Sequence, residues 1–299
     1  MAIKNFCEML DEVKKMETKK VAIAVAEDAE VLAAIRQAQD EGLAIGILTG
    51  DENNIKSAAE GANISLDGFE IIHEPDHSKA ARLCCELIRK GEASAIMKGS
   101  LGTADYMKAI LDKENGLNTG NLISHVAVFE APAYPKLLFV TDAAINIRPE
   151  VEDKVKIINN TVSVAHKFGI DLPLVAACCA VEKVNPKMIE TLHADELTKL
   201  SKEGKIEGCI VEGPFGLDIA ISEESKRIKK IDSEVAGQAD IILSGSIESG
   251  NYLYKSLAFF AQAKIGAIVS GAMAPIILTS RADTHETKFY SIVLGILSS

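Results

Sequence analysis

The stretch ADIILSGSIESGNYLYK, residues 239–255, predicts a short buried strand that runs through a serine- and glycine-rich loop into a helix. Ile241–Leu243 supply the apolar run of the strand. The helix is expected to begin at Ser249–Asn251, where free backbone N–H groups and the positive end of the helix dipole would face the loop. The loop is a candidate phosphate site, although an ordinary capped turn uses the same residue types. The expected ligand-facing residues are Ser244, Ser246, Ser249, Gly250 and Asn251.

Outward from this stretch, apolar runs of strand length alternate with helical patterns over most of the chain. Ala93–Met97 has the composition of a buried strand, Asp28–Asp40 predicts a helix, and Asp76 stands where a further helix would be capped. This rhythm is typical of βαβ units and predicts an α/β fold with mainly parallel sheets. Residues 126–129 and 137–140 instead predict two strands of a hairpin-like arm.

Composition excludes several classes of protein. The 299 residues carry a net charge of −11 without a block of lysines or arginines, so no nucleic-acid partner is expected. The longest strongly apolar run, 172–181, is too short to span a bilayer, and no membrane partner is expected. The six cysteines show no CxxC and no Cys/His ligand spacing. Reduced thiols, no metal site and a cytoplasmic location are therefore expected.

A second loop that suits an anion follows the strand at 95–97. Lys98 would supply a point charge, and Ser100 and Thr103 would donate hydrogen bonds to a phosphate. The alternative is a solvated Lys98, with Thr103 capping the next helix. Arg148 is a further candidate for a phosphate clamp, although a lone arginine is more often found in a surface ion pair.

A series of motifs resembles, in its order, the phosphate acetyl/butyryltransferase family, whose members move acyl groups between coenzyme A and phosphate. The resemblance extends over nearly the whole chain. Ile277-Leu278 stands where acetyl-transferring members usually have an Asn-Asp pair, so the chain is more similar to the butyryl-transferring members. The motifs are KGSLGTADYM (98–107), GPFGLDIAIS (213–222), DSEVAGQADIIL (232–243), SGN (249–251), and Ala274-Pro275 followed by Ser280-Arg281.

The resemblance implies a two-domain fold like that of the isocitrate and isopropylmalate dehydrogenases, with a cleft between the domains. We place the first domain at residues 1–142, with 284–299 packing back onto it, and the second at 143–283. The resemblance also implies a homodimer or larger homo-oligomer. It implies direct transfer between acyl-CoA and inorganic phosphate, with no metal or other cofactor. Butyryl-CoA is the expected acyl donor, and acetyl-CoA is the alternative.

The resemblance places the chemistry in the segment that follows Pro275. Arg281 would bind phosphate through its planar guanidinium, and Ser280 would face the carbonyl oxygen of the thioester. Ile277 and Leu278 are expected to line the acyl pocket. The alternative is that both are core residues that face away from the substrate.

The resemblance does not identify the base that takes the proton from the coenzyme A thiol, because Thr287 stands where acetyl-transferring members have a carboxylate. Asp283, His285 and Glu286 lie nearby, and Asp283 is the first choice. The alternative is that Asp283 caps a helix, with Glu286 completing a capping box. A positive site made by Arg281 is a further route to the thiolate without a dedicated base.

Two functions of other classes remain as alternatives. A decarboxylating 2-hydroxy-acid dehydrogenase of related fold would need a nicotinamide site and clustered aspartates for a divalent metal, and no such cluster is evident in the sequence. A non-catalytic acyl-CoA sensor would bind the thioester without consuming it.

Overall fold

The computed structural model describes residues 2–280 and 283–299. The chain divides into two compact units. The flanking unit consists of Phe6–Asn121 and Ile265–Ser299, and the central unit consists of Leu122–Lys264 with the N-terminal residues through Asn5.

Strands and helices alternate along both units. The strands are β1 (Lys19–Ala24), β2 (Ala44–Gly50), β3 (Glu70–His73), β4 (Ala95–Lys98), β5 (Ser124–Glu130), β6 (Leu138–Thr141), β7 (Leu174–Cys178), β8 (Ile210–Phe215), β9 (Ile241–Leu243), β10 (Lys264–Ser270) and β11 (Ile276–Ile277). The helices are α1 (Phe6–Val13), α2 (Ala29–Asp40), α3 (Glu52–Gly61), α4 (His77–Arg89), α5 (Thr103–Ile110), α6 (Val151–Lys167), α7 (Ile189–Lys202), α8 (Leu217–Ile221), α9 (Glu223–Lys229), α10 (Ile247–Phe259) and α11 (His285–Ser298).

The sheet of the flanking unit has the strand order β3-β2-β1-β4-β11-β10. β1, β2, β3, β4 and β11 run parallel, and β10 pairs antiparallel with β11. All of β4 and the last four residues of β1 are buried, as expected for parallel strands covered on both faces. Asp28, Asp51 and Asp76 accept backbone N–H groups at the starts of α2, α3 and α4, which stabilises the strand-to-helix connections.

The sheet of the central unit has the order β5-β6-β9-β7-β8. β5 and β6 form an antiparallel pair, and β6, β9, β7 and β8 are parallel. Ile241 on the middle strand β9 is flanked by Phe139 on β6 and Val175 on β7. The residues that follow β6, β9 and β7 therefore share one edge of this sheet.

Each unit confirms the predicted α/β fold with mainly parallel strands, whereas the dehydrogenase-like architecture and its cleft stay predictions. The compact units meet near residues 121/122 and 264/265, because the β5–β6 pair joins β9, while most of β10 and all of β11 belong to the flanking sheet. The domain boundaries at 142/143 and 283/284 stay predictions. α11 packs on α1 and α2, and Tyr290 stacks on Phe6 with ring centroids 4.4 Å apart. Among the described residues, no helix has the length and apolar character needed to cross a membrane.

Candidate active site

Two of the sequence motifs meet at one edge of the flanking sheet. β4 and β11 are parallel, and Met97 is the register partner of Ile277. Lys98 and Leu278 are therefore neighbours at the carboxyl ends of these strands. The loop after Lys98 and the segment that leads to Ser280 therefore leave the sheet at the same edge. The carboxyl ends of parallel strands are where open α/β sheets bind their ligands, so this edge is a candidate site.

The turn that follows β1 holds the loop that follows β4. Gly99 and Ser100 donate their N–H groups to the carbonyl oxygens of Ala24 and Val25, at 2.8 and 2.7 Å. A β-carbon on Gly99 would stand 2.0 Å from the Val25 oxygen, so the close approach requires glycine. Val25 has a φ of 60°, a conformation that a β-branched residue rarely adopts. Backbone outliers of this kind concentrate at functional sites.

Lys98 is buried within its own loop. Its Nζ donates to the carbonyl oxygens of Gly99 and Leu101 at 3.2 and 3.3 Å, and the residue is 5% exposed. The alternative of a solvated lysine is therefore wrong. Thr103 is the exposed first residue of α5, whose N-cap is Gly102, so the capping alternative for Thr103 is wrong as well. Ser100 is half-buried.

The structure brings Asp283 to Ser280. The Ser280 N–H donates to Asp283 Oδ2 at 2.7 Å, and the buried Lys288 donates from Nζ to the Asp283 carbonyl oxygen at 2.6 Å. Thr284 is the N-cap of α11, and its side chain accepts the N–H of Thr287 at 3.2 Å. The alternative in which Asp283 caps the helix is therefore wrong. Arg281 lies outside the described residues.

Ile277 and Leu278 have different environments. Ile277 is fully buried, and its Cδ1 would stand 2.9 Å from a β-carbon on Gly295 of α11. This position favours the alternative in which Ile277 is a core residue. Leu278 is half-buried, and its role in an acyl pocket stays a prediction.

The serine- and glycine-rich loop of the central unit contains the predicted strand, but its helix begins earlier than expected. β9 is fully buried, and α10 starts at Ile247 with Ser246 as the N-cap. Ser249 Oγ accepts the Ser246 N–H at 3.2 Å and donates to the Ser246 carbonyl oxygen at 2.8 Å. Ser249 and Gly250 therefore lie inside the first turns of the helix rather than at its start.

Protein groups take up two of the N–H donors at this helix start. Ile247 donates to the carbonyl oxygen of Ile147 at 3.0 Å, and Gly250 donates to that of Ser246 at 3.1 Å. The Ser246 hydroxyl beside Glu248 lowers the pKa of that carboxyl and favours its negative form. Arg148 forms a surface contact of 4.0 Å with Glu248, which is the common role of a lone arginine. These contacts leave fewer donors for a phosphate than the sequence predicts.

A cavity of about 580 Å³ opens beside this loop in the central unit. It lies at the carboxyl ends of β7 and β9 and near the start of α7, and most of its lining is apolar. Its volume is within the roughly 300–1,000 Å³ of small-molecule sites. The lining residues are Cys178, Cys179, Ala180, Lys187, Met188, Ile189, Glu190, Thr191, Leu217, Ile242, Ser244, Gly245, Ser246, Ser249 and Leu253.

An ion pair between a buried lysine and a partly exposed carboxylate supports the wall of this cavity. Lys154 on α6 is 2% exposed, and its Nζ lies 2.5 Å from Glu190 Oε2 and 2.9 Å from His193 Nδ1. His193 Nε2 lies 3.4 Å from Glu150. This group was not predicted from the sequence, because Lys154 and Glu190 are 36 positions apart. A usable signal was present, since Lys154 falls on the same helical face as the apolar residues Ile157 and Ile158.

The two cysteines of the cavity are protonated thiols at neutral pH. Burial raises the pKa of Cys178 to about 12 and that of Cys179 to about 11. Because the thiolate is the nucleophilic form, these side chains serve as apolar lining rather than as nucleophiles.

Comparison with known proteins adds sequence and fold evidence. The family model described as phosphate acetyl/butaryl transferase matches residues 5–86 and 76–296. The chain is 50% identical over 295 residues to a phosphate butyryltransferase of Clostridium acetobutylicum, covering 99% of this chain and 98% of that protein. It is 43% identical over 290 residues to a phosphate acetyltransferase of Thermotoga maritima, covering 97% of this chain and 98% of that protein.

A solved structure is similar as well. The crystal structure of a branched-chain phosphotransacylase from Enterococcus faecalis superimposes with a TM-score of 0.84 and 31% sequence identity. The match covers 94% of this chain and 99% of that chain.

Proposed function

The chain belongs to the phosphate acetyl/butaryl transferase family, and on that basis we propose that it interconverts butyryl-CoA and inorganic phosphate with butyryl phosphate and coenzyme A. The observation that carries the proposal is the match, over almost the entire chain, to a phosphate butyryltransferase. Phosphate acetyl transfer is the second candidate, because a relative named phosphate acetyltransferase is also matched over nearly its full length.

The reaction needs orientation and an oxyanion site. A phosphate oxygen attacks the thioester carbonyl carbon, and the carbonyl oxygen gains negative charge. Collapse of this intermediate breaks the C–S bond, and the coenzyme A sulfur leaves and takes up a proton. Alignment of the two substrates contributes several kcal/mol to the lowering of the barrier, and one preorganised donor at the oxyanion contributes roughly 3–4 kcal/mol more.

We assign this chemistry to the segment that contains Ser280, Arg281 and Asp283. Arg281 binds phosphate through two parallel N–H donors, which a lysine does not supply. Ser280 faces the carbonyl oxygen. Asp283 exchanges the proton with the coenzyme A sulfur, and its hydrogen bond with the Ser280 N–H supports a joint role.

The remaining candidate residues are proposed to bind the two substrates. Ser100 and Thr103 follow the buried Lys98 in the loop after β4. Ser244, Ser246, Ser249 and Gly250 belong to the loop beside the cavity. Asn251, whose Nδ2 donates to the Ala143 carbonyl oxygen at 3.2 Å, ties that loop to the residues after β6.

We further propose that the protein acts in the cytoplasm, where acyl-CoA thioesters are formed, as a homodimer or larger homo-oligomer. Coenzyme A and phosphate are its substrates, and it uses no metal or other cofactor. The family membership supports these assignments.

The test is the release of coenzyme A from acetyl-, propionyl-, butyryl- and isobutyryl-CoA, with and without phosphate. We expect phosphate-dependent release that is fastest with a four-carbon acyl group and matched by formation of acyl phosphate. A preference for acetyl-CoA would move the assignment to acetyl transfer. Binding without release would indicate a sensor. Reduction of NAD by isocitrate-like acids with Mg²⁺ would indicate a dehydrogenase.

A further inference from the structure

The cavity in the central unit contains one carboxylate in a mostly apolar wall. Glu190 lies in the first turn of α7, its side chain is 35% exposed, and it lines the cavity. Its Oε2 is bound by Lys154 Nζ at 2.5 Å. Within the described part of the chain, its second oxygen, Oε1, has no hydrogen-bond partner.

The neighbours of Glu190 restrict its position. Lys154 is buried, and it is itself held by His193 Nδ1 at 2.9 Å. On the other side, a β-carbon on Gly245 would stand 2.7 Å from Glu190 Oε2, so the carboxylate is in close contact with the glycine backbone. The ion pair therefore fixes one oxygen and leaves the other as an acceptor on a residue that lines the cavity.

The chemistry of this oxygen selects the kind of group that binds there. A carboxylate oxygen accepts hydrogen bonds, so the group that binds Glu190 Oε1 carries an N–H or O–H donor. The surrounding residues, including Ile242, Leu253 and Met188, favour an apolar chain. A ligand that fits is an apolar chain interrupted by an amide N–H.

We propose that this cavity binds the amide-containing arm of the thioester substrate and that Glu190 Oε1 accepts one of its amide N–H groups. The proposal rests on the proposed function, because the acyl-CoA substrate supplies such an arm: two amides lie between its sulfur and its nucleotide. Glu190 is a specificity-determining binding residue, and Lys154 is a positioning residue that acts through it.

The test compares butyryl thioesters that differ in their amides. Butyryl-CoA has two amides in its arm, S-butyryl-N-acetylcysteamine has one, and S-ethyl thiobutyrate has none. Glu190→Gln replaces a charged acceptor by a neutral one, and we expect kcat/KM to fall about tenfold for the amide-containing thioesters. The loss should appear in KM, with kcat and the KM for phosphate unchanged. The amide-free thioester should show no loss.

Glu196→Gln is the matched control, because Glu196 is exposed on the same helix. We expect it to leave every thioester unchanged. The double variant Lys154→Met/Glu190→Gln removes both charges together, so it provides a second test if the single variant does not fold. We expect it to show the same pattern of loss. Circular dichroism melting establishes that each variant is folded.

Titration calorimetry measures coenzyme A binding without turnover, so it tests the amide site separately from the proposed reaction. Absence of phosphate-dependent turnover in the wild type would refute the proposed function. Weaker coenzyme A binding by Glu190→Gln would still support the amide site. An equal loss for all three thioesters, or an unchanged affinity for coenzyme A, would overturn the amide site.

Discussion

Gly245 lies directly against Glu190, so that a β-carbon added to Gly245 would stand 2.7 Å from Glu190 Oε2. The loop that follows β9 therefore fixes the position of a carboxylate that comes from α7. A β-carbon at this position would force the Glu190 side chain to shift, whereas the backbone conformation itself does not need glycine.

Gly245→Ala is expected to displace Glu190 from Lys154. Overpacking of this kind lowers the free energy of unfolding by about 1–3 kcal/mol. We also expect kcat/KM for butyryl-CoA to fall, because Glu190 is displaced. Gly61→Ala on α3 is the control, since a β-carbon there meets nothing within 4 Å. Chemical denaturation and steady-state kinetics measure both effects. A Gly245→Ala protein as stable and active as Gly61→Ala would contradict the close contact.

Lys154 and Glu190 should show strong energetic coupling. Lys154→Met leaves Glu190 without its cation, and because Glu190 is partly exposed we expect a loss of about 2 kcal/mol, below the range for fully buried pairs. The double variant Lys154→Met/Glu190→Gln should recover much of this loss, because it removes both charges. A double-mutant cycle from urea unfolding measures the coupling. Additive losses would mean that the two side chains act independently.

Asp283 is expected to matter more to proton transfer than its neighbours His285 and Glu286. In the direction that forms butyryl-CoA, Asp283→Asn should lower kcat more than His285→Gln or Glu286→Gln. The deficit should shrink as pH rises toward 9, because a large share of the free thiol then ionises without a base. The pH profile of kcat for the three variants measures this. A loss that is independent of pH would instead assign Asp283 a positioning role through its bond to Ser280.

Local sequence rules predicted several elements closely. Asp76 is a helix N-cap in the structure, as predicted, and the helix predicted over residues 28–40 is α2, with Asp28 as its N-cap. Ile241–Leu243 forms the expected buried strand. These features depend on residues within one turn or one strand, where spacing alone carries the information.

Three other features could not be predicted, because the spacing of residues along the chain is compatible with more than one structure. Ser246 and Ser249 are equally good caps by type, and the sequence does not say which one begins α10. β11 is too short to show the alternation of apolar and polar residues that would indicate which face of the sheet carries the Ile277 side chain. The contact between Lys154 and Glu190 joins distant segments through the packing of α6 and α7, so no local motif predicts it.

Alkaline pH should destabilise the protein through its buried thiols. Cys84 on α4 is fully buried beside Thr49, and burial raises the pKa of its thiol to about 12, above the 9.0 of an unperturbed group. Between these values the unfolded chain loses the thiol proton and the folded chain keeps it. The unfolded state then binds fewer protons, so the free energy of unfolding falls as pH rises.

Above pH 9, the Cys84 thiol lowers the free energy of unfolding by about 1.4 kcal/mol per pH unit. Below that pH its contribution to stability is fully retained. Cys84→Ala lowers stability at pH 7 by creating a cavity, but it should show a shallower decline between pH 9 and 11 because the titrating thiol is gone. The exposed Cys7→Ala variant is the control for removal of a thiol and should decline in parallel with the wild type. Urea unfolding at a series of pH values gives the three slopes. Parallel decline of Cys84→Ala and the wild type would mean that this thiol ionises as readily in the folded protein as in the unfolded chain.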